Sequence, residues 1–255
     1  MAYVIALAGK GGTGKTTIAA LTIRYLIEKK KKAVLAVDAD SNSCLNEALG
    51  AAVHATIGHL REDSLALVRS GAERPGGMSM EQLFDYQVQQ AVVEAKGFDL
   101  LVMGRPEGPG CYCAANNIIR KYSDILSEKY AYVVIDNEAG MEHLSRRTTH
   151  KVDLILAVSD PSRKGVSTAK RINDLIDELS LEIDRRVLII NKASESEFIK
   201  LKEAVGDMKF DSLAFLPEDK NVFQFDLEGK PVVQLPHDSS LVKSFFDLLD
   251  SLNIP

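Results

Sequence analysis

The chain has 255 residues, 45% of them hydrophobic, a formal net charge of −5 and three cysteines. That length and apolar share are enough for one large α/β domain, residues 1–255, with a packed core. The acidic balance argues against broad attraction to nucleic acid or anionic membrane, and an odd cysteine count argues against a disulfide framework.

No apolar run approaches the roughly 18 residues of a membrane span. The apolar start at residues 3–8 is too short for a signal peptide and lacks a basic leader, so the expected location is cytoplasmic. These residues read as a strand running into Gly9-Lys10-Gly11-Gly12-Thr13-Gly14-Lys15-Thr16-Thr17, with a helical pattern behind. This is the complete spacing of a phosphate-binding loop in its strand, loop and helix context. The glycines turn the backbone so that N–H groups face phosphate oxygens, and the helix start adds its positive dipole end. Lys15 reaches the β- and γ-phosphates of a nucleotide, and the Thr16 hydroxyl is a Mg²⁺ ligand. Lys10 is a second lysine that an ordinary loop does not need. The form resembles the deviant loop of the family containing MinD, ParA and the nitrogenase iron protein. In that family the extra lysine reaches across a dimer interface to the partner's nucleotide, so the resemblance implies a nucleotide-dependent homodimer.

Ile18, Leu21, Tyr25 and Leu26 give the following helix one apolar face, and Lys29 to Lys32 read as its solvated C-terminal end, where cations suit the dipole. The unbroken apolar run 33–37 predicts a buried parallel strand. It delivers Asp38 and Asp40 to the carboxyl edge of the sheet, where ligands of open α/β sheets gather. The D-x-D resembles switch I of the same family, which implies that Asp40 orients the attacking water and that Asp38 lies near Mg²⁺ and its waters. Cys44 reads as a small core residue.

Helices are predicted over 56–70 and 79–96, the second opened by a Ser79/Gln82 capping box and burying Phe84, Val88, Ala91 and Val92. His54 and His59 have no partner at metal-ligand spacing. A strand over 98–104 runs into a Pro/Gly-rich loop holding Cys111 and Cys113, and a helix over 114–127 follows, whose N-terminus lowers cysteine pKa values. Taken alone, C-x-C fits a packing pair, a redox dithiol or half of a tetrahedral metal site. A dimer with its axis through this loop would bring four thiolates together.

The strand 131–136 places Asp136 where it suits the second shell of Mg²⁺. The phosphate loop with Lys10, the D-x-D, Cys111-Tyr112-Cys113 and the stretch Asp136 to Leu144 together resemble the CooC-type ATPases. These serve nickel insertion into carbon monoxide dehydrogenase, with relatives serving acetyl-CoA synthase. The resemblance spans essentially the whole chain. It implies that Cys111 and Cys113 of two subunits bind Ni²⁺ or Zn²⁺ at the interface, and that a client nickel enzyme is a partner. Residues 137–143 resemble switch II, whose Gly140 amide senses the γ-phosphate. Asn137-Glu138 stands where the wider family has Thr-Pro or Thr-Gly, and His143 reads as a surface or interface histidine. Arg146 and Arg147 are candidates for the dimer interface.

A strand over 154–159, an amphipathic helix over 165–179 and a strand over 187–190 lead to Asn191-Lys192. Asn191 resembles the family's adenine reader. The last strand, 213–216, leads to Pro217-Glu218, which resembles its adenine-flanking segment. The helix 239–252 carries Asp247 and Asp250 against Lys243, unlike a membrane-surface helix, and is expected to pack on the body of the protein. The whole reading is a slow, dimer-dependent ATPase using ATP/ADP and Mg²⁺, with nickel as cargo, and with no nucleic-acid or membrane partner. The alternatives are a positioning or partition ATPase of the MinD/ParA sort and an electron-donating ATPase with an interfacial cluster.

Overall fold

The computed structural model describes residues 2–71, 75–105, 118, 121–122, 125–126, 128–139, 151–206 and 208–255. Its centre is one sheet of eight strands: β1 (Tyr3–Gly9), β2 (Val34–Ala39), β3 (Val93–Ala95), β4 (Phe98–Val102), β5 (Tyr132–Asn137), β6 (Lys151–Ser159), β7 (Glu182–Ile190) and β8 (Ser212–Phe215). Their spatial order is β3-β4-β2-β5-β1-β6-β7-β8. Among the described residues only β3 and β4 pair antiparallel. This is the single-domain α/β fold that the alternation of apolar runs and helical patterns predicts.

Successive side chains of a strand face opposite sides of a sheet. Along β1, Ile5 and Leu7 enter one core with α1 (Lys15–Tyr25) and α8 (Ser240–Ser251). Ala6 and Ala8 face the other side, against Ile172 and Ile176 of α5 (Arg163–Glu178). Nearer β4, Leu35, Val37, Val133 and Ile135 pack with α3 (Ile57–Ser70) and α4 (Met80–Ala91). With both faces covered, β2 and β5 are buried along their whole length, which is why they read as unbroken apolar runs. Among the described residues the further α-helices include α2 (Leu45–Leu49), α6 (Glu195–Val205) and α7 (Lys220–Leu227).

The C-terminal helix α8 buries Leu241, Val242, Phe245, Phe246 and Leu249. Phe246 meets Tyr25 of α1 edge to face with ring centroids 5.3 Å apart, and the Tyr25 hydroxyl donates to Asp250 at 2.7 Å. Its apolar face therefore belongs to the core. No helix among the described residues is long and apolar enough to cross a membrane.

Four expectations change. The helix begun at Ser79 stops at Ala91, not residue 96, and buries Leu83, Val88 and Ala91. Val93–Ala95 instead forms an edge strand, returned by a turn at Gly97 with φ +92. β-Branched Val92 and Val93 followed by Lys96-Gly97 favour such a hairpin over a further helical turn. Cys44 is exposed rather than core, because it caps the short α2 just beyond the end of β2. β6 and β7 begin earlier than residues 154 and 187, with half-exposed starts whose polar residues hide them from an apolar-run reading. The capping box at Ser79 and Gln82 is present in both directions. Lys29, Lys31 and Lys32 are solvated as expected, while Lys30 donates to the backbone oxygen of Ile254.

Candidate nucleotide site

β1 lies between β5 and β6, so the chain crosses to one side of β1 for the first half of the sheet and to the other for the second. The crevice at such a reversal, outside the carboxyl ends of the strands, is where α/β sheets bind ligands. The loop of residues 10–14 occupies it. Gly9 must be glycine, since a Cβ there would stand 2.2 Å from the Val158 carbonyl oxygen of β6. Gly12 and Gly14 hold φ of +81 and +93, a region that side chains disfavour. Gly14 caps α1 and offers no side-chain acceptor, so the first amides of that helix have no capping side chain and suit an anion.

The loop is also held from below. Buried Thr13 donates its hydroxyl to the Lys10 carbonyl at 2.9 Å, and its own carbonyl accepts from the Asn191 amide at 2.8 Å. The Lys192 ammonium lies 3.4 Å from the Gly12 carbonyl. Lys15 is 7% exposed and folds back to within 3.4 Å of the Lys10 carbonyl. Burial lowers its pKa, against the pull of Asp136, Asp40 and Glu138. Lys10 points the other way. Its side chain is 47% exposed and ends 3.8 Å from Asp160.

Asp38 and Asp136 sit opposite each other where β2 pairs with β5. Thr16 donates to Asp136 Oδ2 at 2.6 Å, and Asp136 Oδ1 is buried without a hydrogen-bond partner. A buried acceptor with no donor is costly unless something outside the chain satisfies it. A hydroxyl, an orphaned carboxylate oxygen and a neighbouring carboxylate form an oxygen-only donor set, which fits a hydrated Mg²⁺. Burial pushes Asp136 up to about 6, with the Thr16 hydroxyl and Lys15 opposing it. Asp38 is fully buried and pushed up to about 7, burial again being the main cause. Its two oxygens accept from the amides of Leu45 at 3.0 Å and Asp40 at 3.1 Å, so it also fixes the course of the chain after β2. Asp40 then accepts from the Asn42 amide at 2.8 Å. Ser41, 3.4 Å from Glu138, ties this turn to the end of β5. Asn137 donates to the Leu7 carbonyl at 2.8 Å while its Oδ1 is buried and unpaired.

Beyond the loop lies a cleft of about 320 Å³, lined by Thr17, Asn191, Pro217, Glu218, Val222 and Phe223, among others. Sequence reasoning placed Asn191, Lys192, Pro217 and Glu218 here but missed Val222 and Phe223, because α7 itself was not anticipated. An aromatic residue a few positions after Pro217-Glu218 was the available signal. The structure thus gathers Lys15, Thr16, Asp38, Asp40 and Asp136 on one edge, with the cleft alongside. Cys111, Cys113, Gly140, His143, Arg146 and Arg147 lie outside the described residues. The chain that leads to the cysteines leaves this same edge: Met103, just past β4, donates its amide to the Asp38 carbonyl at 2.8 Å.

Residues 4–232 match the family model of the CobQ/CobB/MinD/ParA nucleotide binding domain. The chain belongs to that family. As a CobQ/CobB/MinD/ParA protein it is an ATP-binding P-loop ATPase. It is 39% identical over 249 residues, 98% of each chain, to an uncharacterized ATP-binding protein of Methanocaldococcus jannaschii. It is 31% identical over 233 residues, 88% of this chain and 87% of the other, to the carbon monoxide dehydrogenase accessory protein CooC of Rhodospirillum rubrum. A ParA family ATPase from Chlorobium tepidum superposes with a TM-score of 0.72 at 21% identity over 99% of each chain. The septum site-determining protein MinD of Pyrococcus horikoshii, complexed with Mg-ADP, gives 0.69 at 22% identity over 99% of this chain and 96% of its own. These likenesses establish the fold.

Proposed function

We propose that this P-loop ATPase is a nickel carrier that dimerises on MgATP and delivers the ion to carbon monoxide dehydrogenase or a related nickel enzyme such as acetyl-CoA synthase. One observation carries the reading: a chain 31% identical to CooC over 88% of its length joins a deviant phosphate loop to Cys111-Tyr112-Cys113. The start of the cysteine loop, tied to Asp38 through Met103, supports coupling between the two.

In this reading Lys15 and the amides of residues 9–17 bind the phosphates, and Lys10 leaves Asp160 to reach the partner's nucleotide. Thr16, Asp38 and Asp136 hold Mg²⁺, directly or through water, and the ion neutralises charge on the β- and γ-phosphate oxygens. Asp40 positions the attacking water. The Gly140 amide senses the γ-phosphate, while Asn191, Lys192, Pro217 and Glu218 flank the base. Catalysis of this kind is positioning and charge stabilisation, so an incomplete monomeric site hydrolyses ATP slowly. Two thiolates are half of a tetrahedral site, and a partner supplies the rest. If nucleotide and nickel both favour the closed dimer, each tightens the other's binding. Hydrolysis then loosens the dimer and releases the metal, with Zn²⁺ a competing occupant of the same thiolates. The proposed setting is the cytoplasm, where the thiols stay reduced.

The test takes reduced, anaerobic protein with Ni²⁺, with and without MgADP or MgATP, and reads bound nickel per chain alongside mass in solution. The expected result is one nickel per two chains in a dimer, lost when Cys111→Ser is combined with Cys113→Ser. Unchanged nickel binding in that double variant sinks the nickel reading. A dimer without metal would instead favour a positioning or partition ATPase, which liposome pelleting and a DNA gel shift would detect.

A further inference from the structure

We propose that Phe223 is the base-stacking residue of the cleft, so that the site selects nucleotides by the face of the base as well as by phosphate. The proposal rests on the nucleotide reading above and names a contact within it.

A single exposed apolar side chain needs no explanation; its position does. α7 buries no residue completely. Its Val222 and Phe225 pack partly against the main core, whereas Phe223 leaves 67% of its surface in solvent. That ring lines the cleft shared with Thr17 of the phosphate loop, and the cleft's volume of about 320 Å³ is at the lower end of small-ligand sites, roughly 300–1,000 Å³. Leu227, one turn along, is equally exposed at 67% but does not line the cleft. The helix is anchored rather than loose. The Asp219 carboxylate caps it through the Asn221 amide at 2.8 Å and accepts from Ser239, Ser240 and the Leu241 amide at the start of α8. The ring is thus presented by a fixed element, which reduces the ordering cost of binding.

Charge along the cleft sets the direction of the ligand. Lys192 and Thr17 stand at the phosphate-loop end, and Glu218 and Asp226 line the cleft as carboxylates. Carboxylates repel phosphate and accept from the amino group of a base or the hydroxyls of a ribose. A flat, neutral, amino-bearing aromatic over an exposed phenyl ring meets both demands. Stacking depends on ring overlap, so purine nucleotides bind more tightly than pyrimidine ones.

The experiment is calorimetric titration of the full-length chain with MgADP, MgCDP and magnesium tripolyphosphate. Phe223→Ala is expected to weaken MgADP about 5- to 150-fold, the range of a base–aromatic stack, and to leave tripolyphosphate unchanged. Phe223→Tyr keeps the wild-type affinity, and Leu227→Ala changes neither ligand. Wild-type affinity for MgADP in Phe223→Ala overturns the proposal, as does an equal loss for MgADP and tripolyphosphate, which would mean that the ring only supports the fold. If wild-type protein itself fails to bind MgADP, the nucleotide reading falls instead.

Discussion

Asp219→Ala should loosen α7 and its attachment to the start of α8. The carboxylate accepts from the Asn221 amide at 2.8 Å, Ser239 Oγ at 2.6 Å, Ser240 Oγ at 3.0 Å and the Leu241 amide at 3.1 Å. Burial acts to raise its pKa, but these donors outweigh it and hold the carboxyl below its ordinary 3.8. Removing an N-cap costs about 1 kcal/mol. Hydrogen bonds to a charged acceptor are worth about 1.5–3 kcal/mol each when buried. Ser239 is 2% exposed and would lose its acceptor, while Ser240 is exposed and recovers water. A loss of about 3 kcal/mol follows, less than the sum because the contacts share one anion. With a urea m-value of about 3 kcal/mol per molar, the midpoint should fall by about 1 M. Circular dichroism on urea titration reads this directly. The group's contribution is present above pH 3.8 and lost as pH falls through its lowered native value, so the gap between wild type and variant should narrow in acid. Asp219→Asn keeps the cap but turns an amide toward the Leu241 N–H, and should fall between the two. A midpoint shift below about 0.3 M at pH 7 would refute the anchoring role.

Gly14→Ala forces a side chain into φ +93 with its Cβ 2.5 Å from the Asn191 amide nitrogen, so it should cost at least about 2 kcal/mol and abolish tight MgADP binding. Gly11→Ala, whose Cβ would meet Ala139 at an ordinary 3.6 Å and no other described residue within 4 Å, is the control, and equal melting temperatures for the two variants would contradict the account. In protein free of metal and nucleotide, Asp38 keeps its proton to about pH 7 while the unfolded chain releases it near 3.8. The native state then binds more protons between those values. Asp38 alone should therefore lower stability as pH rises from 4 to 7, by roughly 4 kcal/mol at 1.36 kcal/mol per pH unit, and Asp136, raised to about 6, acts in the same direction. Unfolding in EDTA at pH 5 and pH 8 checks the sign, and a flat profile counts against it. The Cys44 thiol is exposed, yet burial of its surroundings and then Asp38 and Asp40 raise its pKa. In the Cys111→Ser, Cys113→Ser background it should react with a disulfide reagent more slowly than a free thiol does, and faster reaction would overturn that electrostatic picture.

Much of this protein was legible without coordinates because its signals are local. The phosphate loop needs glycines where φ is positive and a lysine and threonine at fixed offsets, and residues 9–17 state all of that in the chain. Buried strands such as β2 and β5 announce themselves as apolar runs because both sheet faces are covered. The helix beginning at Ser79 was recognisable from its cap, but not where it stopped, since pairing with β4 competes with helix propensity at Val93–Ala95.

Tertiary structure decided what depends on partners distant in sequence. Only the pairing of β2 with β5 sets Asp38 beside Asp136, and only the meeting of Thr16 with Asp136 leaves one carboxylate oxygen buried and unpaired. Asn191 resembles a base reader in the sequence, yet its amide also supports the phosphate loop through the Thr13 carbonyl, a contact across 178 positions of sequence. Cys44 has the composition of a core residue and lies in solvent, because its place beyond the end of β2 outweighs its type. Phe223 shows the same division. Its sequence neighbourhood gives only an apolar residue shortly after Pro217-Glu218, and the cleft between α7 and Thr17 exists only once β8, α7 and α8 have packed. Residue type and spacing determined which chemistry the chain carries, and long-range packing decided which of those groups face one another.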